Sequence, residues 1–186
     1  RVRALGAVAM LGGAMLAAGA AQACSVSQTK ALFEYDGRTQ TILDVEAAMA
    51  RAQGSQGVIP QDAASEISGK ANVALVTQQA FDAEYAVVNH RRVALLNVWR
   101  RSLNDAGDQY VHFGATTVDI YGTATILQTL GGLDQIDACL ARSLEAMRAL
   151  AVEHKATPMI GRTLGQHAQP ITFGKKISAW IGEYAR

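Results

Sequence analysis

The chain has 186 residues, of which 49% are hydrophobic, 6% are aromatic and only three are proline. An Ala-rich, proline-poor composition of this kind favours helices over sheets. A formal net charge of +1 gives no reason to expect a nucleic acid or an anionic membrane surface as a partner. Two cysteines do not make a disulfide framework, and the four histidines show no metal-ligand spacing. We therefore expect no metal and no other cofactor.

Residues 1–23 differ from the rest of the chain. Arg1 and Arg3 precede a run of small apolar residues, which ends in Ala21-Gln22-Ala23. A positive start, an apolar middle and an A-x-A end predict a secretory signal peptide, and therefore an exported, periplasmic protein; without a genuine leader the protein would be cytoplasmic. Cleavage would leave Cys24 first, which also admits a lipid anchor. The alternative is an upstream region translated from a misplaced start.

Two helices are predicted in the first third of the chain. From Thr39 to Gln53 the apolar residues recur at steps of three and four, which marks one face of a helix. Asp44 and Glu46 are expected on the wetter side of this helix. A break at residues 54–60 precedes a short second helix from Asp62 to Ser68.

A third helical segment is predicted from Val73 to Leu103, with a break near Asn89-His90. Its expected inward-facing residues are Val93, Leu96 and Leu103, and its arginines are expected to be largely solvated: Arg91, Arg92, Arg100 and Arg101. A phosphate-binding patch is the alternative interpretation of these arginines. The small net charge and the lack of interleaved aromatic residues favour a solvated helix face. His90, at the start of this basic run, is either structural or catalytic.

The longest predicted helix runs from Val118 to about His154. Thr116 or Thr117 can cap it, and Asp119 falls in its first turn, where negative charge is favoured. A helix start with free N–H groups and two hydroxyls is also suited to a carboxylate or phosphate. An apolar stripe runs along the helix at steps of three and four, and the Gly131-Gly132 pair predicts a kink. Such a stripe needs partner helices, from other subunits or from a longer polypeptide.

The stretch from Pro158 to Gly174 separates this helix from another amphipathic helix that begins at Lys175. Glycines and prolines predict a loop here, and loops on a rigid scaffold often carry binding and catalytic groups. The polar candidates are Arg162, Thr163, Gln166, His167, Gln169 and Thr172. A polar loop that holds an imidazole is suited to proton transfer. The alternative is an ordinary connection between two helices.

Three stretches in this order resemble the fumarase/aspartase superfamily of lyases. Residues 43–53, followed by Gly57-Val58-Ile59-Pro60, are similar to its first conserved helix. His112-Phe113-Gly114-Ala115-Thr116-Thr117-Val118-Asp119 is similar to its H-x-G-A-T-S-x-D segment, and residues 161–174 are similar to its G-R-T…Q-x-A-x-P-x-T-x-G segment. The resemblance covers about residues 31–186. Within the superfamily it is closest to the branch of adenylosuccinate lyase and 3-carboxy-cis,cis-muconate cycloisomerase.

The resemblance implies an all-α fold: a small N-terminal helical domain (24–115), then the first part of a long central helical bundle (116–186) that is incomplete in this chain. It also implies a homotetramer and a small dicarboxylate substrate, with an active site shared among three subunits. Family chemistry removes a proton next to a carboxylate, passes through an aci-carboxylate and expels an amine, hydroxyl or lactone oxygen.

Residue roles follow from the same resemblance. His167 matches the position of the general acid in the adenylosuccinate lyase branch, and His90 falls near a second active-site histidine. The positions implied for substrate binding are His112, Thr116, Thr117, Arg162, Thr163 and Gln166. A hydroxyl or a helix N–H group aimed at the developing charge would stabilise the intermediate.

Some residues depart from the family pattern. Thr117 replaces the usual Ser, Val118 replaces a frequent Gln, and Leu164 stands where adenylosuccinate lyases often carry His. The C-terminal Gly-Ser-Ser loop that supplies the catalytic base in the family has no counterpart here, so we expect no turnover from this chain alone. The hypotheses are therefore a lyase or cycloisomerase of this family, adenylosuccinate lyase included, and a non-catalytic helical assembly or binding protein derived from it.

Overall fold

The computed structural model describes residues 26–186, so the predicted signal peptide and Cys24 lie outside the described part of the chain. Helices account for 73% of the structure and strands for 8%, which confirms the all-α class. The helices are α1 (Val26–Phe33), α2 (Tyr35–Ser55), α3 (Gln61–Gly69), α4 (Gln78–Val88), α5 (Arg91–Arg100), α6 (Asp105–Tyr110), α7 (Thr117–Glu153) and α8 (Phe173–Tyr184). A 3₁₀ turn spans Val73–Leu75, and the strands are β1 (Pro158–Thr163) and β2 (Gln166–Thr172).

The described chain forms two compact units, residues 26–132 and residues 133–186, which divide within α7. The predicted boundary between residues 115 and 116 stays a prediction. Among residues 26–186 the structure holds no helix that is both long and apolar enough to cross a membrane.

The core of the first unit is built around α2, α3 and α5. Trp99 and Leu43 are fully buried there, and Ile67 is almost fully buried. The indole Nε1 of Trp99 donates to the carbonyl of Lys70 at 2.8 Å, so the polar edge of the ring is satisfied inside the apolar core. This packing fixes α2 and α5, the two helices that carry the buried charges described below.

The predicted helices of this unit are confirmed, with ends that differ by several residues. The break expected near residues 89–90 is present because Asn89 adopts φ 50° after α4, which is a left-handed helix end that Asn tolerates. Two inward-facing residues were predicted well, since Leu96 is buried and Leu103 packs against the core. The prediction for Val93 was wrong, because its side chain is 40% exposed.

Helix α7 has 37 residues and is continuous through Gly131-Gly132, so the kink stays a prediction. A Cβ on Gly131 would lie 3.3 Å from Leu32 Cδ1. The glycine therefore lets α1 pack closely on α7. The apolar stripe is largely uncovered, and its most exposed members are Ile126, Leu130, Leu133, Ile136 and Leu150.

The second unit contains a β-hairpin where the sequence predicts a loop, so the loop prediction was wrong. Strands β1 and β2 pair antiparallel, from Pro158 opposite Thr172 to Thr163 opposite Gln166. The two turn residues, Leu164 and Gly165, have φ of 49° and 77°, as a tight hairpin turn requires. The helix predicted after this stretch is confirmed as α8, and the Thr172 hydroxyl caps it by accepting from the Lys175 N–H at 3.2 Å.

Candidate functional site

The start of α7 carries the two threonines predicted to bind an anion. Thr116 is the residue before the first helical residue, and its N–H donates to the Asp119 carboxylate at 3.0 Å. This is one half of a capping box, in which an acidic residue three positions into the helix binds back to the N-cap N–H. Within residues 26–186 the structure records no hydrogen bond from the hydroxyls of Thr116 and Thr117. Both hydroxyls therefore remain available to a ligand.

The turn before this helix holds an unusual backbone. His112 has φ 62° and Gly114 has φ 71°. A histidine with positive φ costs about 1–2 kcal/mol, so contacts elsewhere must hold it in place. One such contact is the Phe113 carbonyl, which accepts a hydrogen bond from Gln53 Nε2 at 2.7 Å. The other is the side chain of His112 itself.

The imidazole of His112 binds a buried ion pair. Glu46 of α2 and Arg92 of α5 form a salt bridge, and their side chains are 0% and 2% exposed. The Nδ1 atom of His112 lies 2.7 Å from Glu46 Oε1 and 3.1 Å from Arg92 Nη2. One carboxylate oxygen therefore serves a guanidinium and an imidazole together. The second carboxylate oxygen, Glu46 Oε2, is buried without a hydrogen-bond partner in the described structure.

The predictions that Glu46 and Arg92 face solvent were wrong. Glu46 is 1% exposed and Arg92 is 2% exposed. Burial of either charge alone would be costly, but the two compensate each other. Of the other arginines predicted to be solvated, Arg91 and Arg101 are exposed and Arg100 is partly exposed.

The sequence does not predict this ion pair by charge alone, because a charged residue usually marks the solvated face of a helix. The apolar residues three and four positions away on each helix indicate that the charged residue is buried. Glu46 is three or four residues from Ile42, Leu43 and Ala50, and all of these are buried. Arg92 has the same relation to buried residues of α5, namely Leu95 and Leu96. A charge inside an apolar stripe on each of two helices predicts a buried pair.

Burial in this site lowers the pKa of both Arg92 and His112. Burial lowers the pKa of Arg92 to about 10, which is still well above neutral pH. Burial is also the main cause that lowers the pKa of His112 below its ordinary value of 6.5, and the positive charges of Arg92 and Arg100 lower it further. The Asp119 carboxylate opposes this shift. Asp119 therefore acts on both groups, since its charge raises the pKa of His112 and its carboxylate accepts from the Thr116 N–H.

The second group of predicted residues lies on the hairpin. Arg162 and His167 are cross-strand partners, and Thr163 and Gln166 are partners next to the turn. All four side chains are exposed. Leu164, which replaces a frequent family histidine, is 99% exposed at the tip. The hairpin thus brings Arg162 and His167 together, and it belongs to a different compact unit from Thr116 and Thr117.

His90 has a structural contact. It is the N-cap residue of α5, and its Nδ1 accepts a hydrogen bond from the Val93 N–H at 3.3 Å. The catalytic role proposed for His90 on the basis of the resemblance stays a prediction. Within residues 26–186 no group of three or more His, Cys, Asp or Glu residues could hold a metal ion.

A separate cleft of about 480 Å³ opens in the first unit. Its wall includes Tyr35, Phe81 and Tyr121, together with the cations Arg38 and Arg91. The Arg91 guanidinium lies 5.5 Å from the centre of the Phe81 ring, so part of its charge is already engaged. None of the predicted substrate-binding residues lines this cleft.

The chain is similar to known proteins in both sequence and structure. The chain is 37% identical over 159 residues to the adenylosuccinate lyase of Methanothermobacter thermautotrophicus, an alignment that covers 86% of this chain and 35% of that protein. It is 35% identical over 162 residues to the N-acetyl-S-(2-succino)cysteine lyase of Enterococcus italicus, covering 87% and 35%. The chain therefore spans about a third of the length of these curated relatives.

The structure is similar to that of the 3-carboxy-cis,cis-muconate lactonizing enzyme from Pseudomonas putida. The TM-score is 0.80 at 31% identity, and the match covers 88% of this chain and 38% of that one. The profile of the Lyase family matches residues 18–186. Sequence, fold and motifs agree, and the chain belongs to the Lyase family, within the fumarase/aspartase superfamily.

Proposed function

We propose that this chain forms the N-terminal part of a lyase site that acts by general acid/base β-elimination, or by the cycloisomerase variant, on a dicarboxylate, in the manner of 3-carboxy-cis,cis-muconate cycloisomerase. The observation that carries this proposal is the position of His112. Its ring is bound to the buried Glu46 carboxylate, and its turn leads into the capped start of α7. There the hydroxyls of Thr116 and Thr117 have no hydrogen-bond partner among residues 26–186.

In the proposed elimination, a C–H bond next to a carboxylate breaks, and its electron pair moves into that carboxylate. The negative charge of the resulting aci-carboxylate is stabilised by Thr116, Thr117 and the N-terminal end of α7, since hydroxyls and helix N–H groups fixed in advance favour charge that develops during the reaction. The electron pair then returns to form the double bond as the bond to the leaving atom breaks. No residue of this chain is assigned as the base.

The leaving atom receives its proton from His167 in this proposal. His167 lies across from Arg162 on the hairpin and is exposed, so both can reach a ligand. Arg162 supplies a cation for a second carboxylate, and its planar guanidinium can bind that group through two parallel hydrogen bonds. Thr163 and Gln166 contribute further hydrogen bonds at the turn. His90 is a weaker candidate because its ring already caps α5.

The substrate proposed is a small dicarboxylate with a leaving group next to one carboxylate. Two of the relatives are named for substrates that carry a succinyl group, on nitrogen in adenylosuccinate and on sulfur in N-acetyl-S-(2-succino)cysteine. Elimination from such a group gives fumarate and the free amine or thiol. The exposed apolar stripe of α7 supports a homotetramer, because a stripe of this length is stable when partner helices cover it.

The test is an assay with succinyl amines, succinyl thioethers and 3-carboxymuconate, measuring fumarate release or ring closure. From this chain alone we expect no turnover, because none of its residues is assigned as the base. In a polypeptide that joins this chain to a base-bearing C-terminal portion of the family, we expect turnover of one substrate class, about a 10²–10³-fold loss in Thr117→Val, and about a 10²–10⁴-fold loss in His167→Ala. Gln169→Ala is the matched control, since Gln169 lies on the same strand, is exposed and has no assigned role. Turnover that survives both substitutions would contradict the proposal.

The same assay separates the alternatives. Turnover of adenylosuccinate alone would assign the protein to adenylosuccinate lyase. The uncovered stripe of α7 also fits a non-catalytic assembly protein. That function predicts oligomers without turnover of any substrate, and substitution of Leu130 by Glu would then dissociate the oligomer while Thr117→Val would have no effect.

A further inference from the structure

The Glu46 carboxylate determines which nitrogen of His112 carries the proton. An ionised carboxylate only accepts hydrogen bonds, so the 2.7 Å contact with Nδ1 requires a hydrogen on Nδ1. The Arg92 guanidinium is a donor without acceptor capacity, and it also binds Glu46 Oε1. The 3.1 Å distance between Arg92 Nη2 and His112 Nδ1 follows from two donors that share one acceptor.

Burial makes this arrangement rigid. The Glu46 side chain is fully buried and Arg92 is 2% exposed, so water does not compete for the shared carboxylate oxygen. His112 is 16% exposed, so part of its side chain remains accessible to a ligand. In the described part of the chain, the structure records no hydrogen-bond partner for His112 Nε2.

From this geometry, and building on the proposed function, we propose that Glu46 and Arg92 form a positioning pair that fixes His112 as the Nδ1–H tautomer, so that Nε2 accepts a hydrogen bond from a hydroxyl or amino group of the ligand. With the proton held on Nδ1 by Glu46, the lone pair of Nε2 is free to accept. The positive charge of Arg92 disfavours a second proton on the ring.

The chemical consequence is that His112 and the start of α7 bind different groups of the ligand. In this tautomer Nε2 carries no hydrogen, so it cannot donate a hydrogen bond to a carboxylate. The hydroxyls of Thr116 and Thr117 can. The ligand carboxylate is therefore assigned to the helix start, and a donor group elsewhere on the ligand is assigned to His112. The preferred ligand is a dicarboxylate that carries a hydroxyl or N–H group, rather than a plain dicarboxylate.

The tautomer is measured by NMR on protein with ¹⁵N-labelled histidine, and the signals that disappear in His112→Asn identify His112. We expect one set of ring signals, with a protonated Nδ1 and an unprotonated Nε2. An unprotonated Nδ1 that accepts from Arg92, or an imidazolium at neutral pH, would overturn the positioning pair. The double variant Glu46→Met/Arg92→Met removes both charges, and its ring should become a mixture of tautomers. The wild-type spectrum decides the question even if this variant fails to fold.

The ligand assignment is tested with malate, which has a hydroxyl, and succinate, which has none. We expect both to shift the Thr117 backbone amide and only malate to shift Nε2 of His112. If both shift Thr117 and neither shifts Nε2, the inference fails while the proposed anion site stands. If neither shifts Thr117, the proposed anion site fails and the ligand assignment falls with it, while the tautomer still decides the positioning pair.

Discussion

The turn at residues 111–116 and the β1–β2 hairpin both carry residues assigned to one family chemistry, but they are held in place differently. The turn is fixed by a buried contact, since His112 binds the Glu46–Arg92 pair inside the core. The hairpin is held mainly by backbone pairing between two strands, and its polar side chains from Arg162 to Gln169 are exposed.

The two regions therefore differ in when their side chains lose conformational entropy. The side chain of His112 is ordered on folding, before any ligand binds. A ligand that binds His112 contacts a ring whose orientation is already fixed by the buried Glu46 and Arg92. A ligand that meets Arg162 or His167 must order those side chains on binding, at about 0.5–1.5 kcal/mol for each. The first region is therefore ordered before a ligand binds, and the second is ordered on binding.

The largest expected effect is on the buried pair. Glu46→Ala leaves the Arg92 cation buried without its partner, which should lower the free energy of unfolding by about 3–5 kcal/mol. The control is Asp44→Ala, because Asp44 is exposed on the same helix and its loss should change stability by about 0.5 kcal/mol or less. Urea denaturation followed by circular dichroism measures both. Equal losses in the two variants would show that Glu46 is not the anchor of the turn.

A smaller and more local effect is expected at the hairpin tip. Gly165 has φ 77°, and Gly165→Ala should destabilise the hairpin by about 1–2 kcal/mol. Leu164→Asn should act in the opposite direction, since Asn tolerates the positive φ of this position. Hydrogen exchange of the β1 and β2 amides measures both changes. Residues 26–132 should keep their protection in both variants, and a loss of protection there would contradict the local character of the hairpin.

The pH dependence of stability tests the environment of His112. Because its pKa is lowered in the folded protein, the unfolded chain binds a proton more readily below the ordinary value of 6.5. The stabilising contribution is therefore complete above about pH 6.5 and is lost as the pH falls through the lower pKa of the folded state. His112→Asn, which accepts the same backbone conformation, should weaken the fall in unfolding free energy on acidification. Identical pH profiles of variant and wild type would contradict this account.

The smallest effect on stability is expected for His167→Ala. His167 is exposed on β2, so its loss should change the free energy of unfolding by about 0.5 kcal/mol or less. The comparison with Gln169→Ala on the same strand checks this in one denaturation experiment. A loss of more than about 1 kcal/mol in His167→Ala alone would mean that the histidine supports the fold, and its loss of turnover could not then be assigned to proton transfer.

Apolar periodicity predicted α2, which buries one face in the core, and α7, whose apolar stripe is largely exposed in this structure. The break at residues 54–60 predicted α3. The hairpin was missed because Pro158 and Pro170 argued against strands. Proline is tolerated here since both strands lie at an edge of the sheet, where an N–H is not needed. The Leu164-Gly165 pair was the available turn signal.

Within the candidate site, the sequence predicts residues that could contact a ligand, which stays a prediction, and it does not predict the residues that hold them. His112, Thr116 and Thr117 stand out as a motif. Glu46 and Arg92 lie 46 positions apart in the chain, and only the packing of α2 against α5 brings their charges together. Periodicity applied to each helix alone can indicate that each charge is buried, but it cannot show that the two charges meet.

The most direct test of the central claim is a crystal structure of the protein with a bound dicarboxylate. The account predicts one carboxylate within hydrogen-bond distance of the Thr116 and Thr117 hydroxyls at the start of α7, with His112 still bound to Glu46. A dicarboxylate bound instead between Arg38 and Arg91 in the aromatic cleft, with the start of α7 empty, would contradict it.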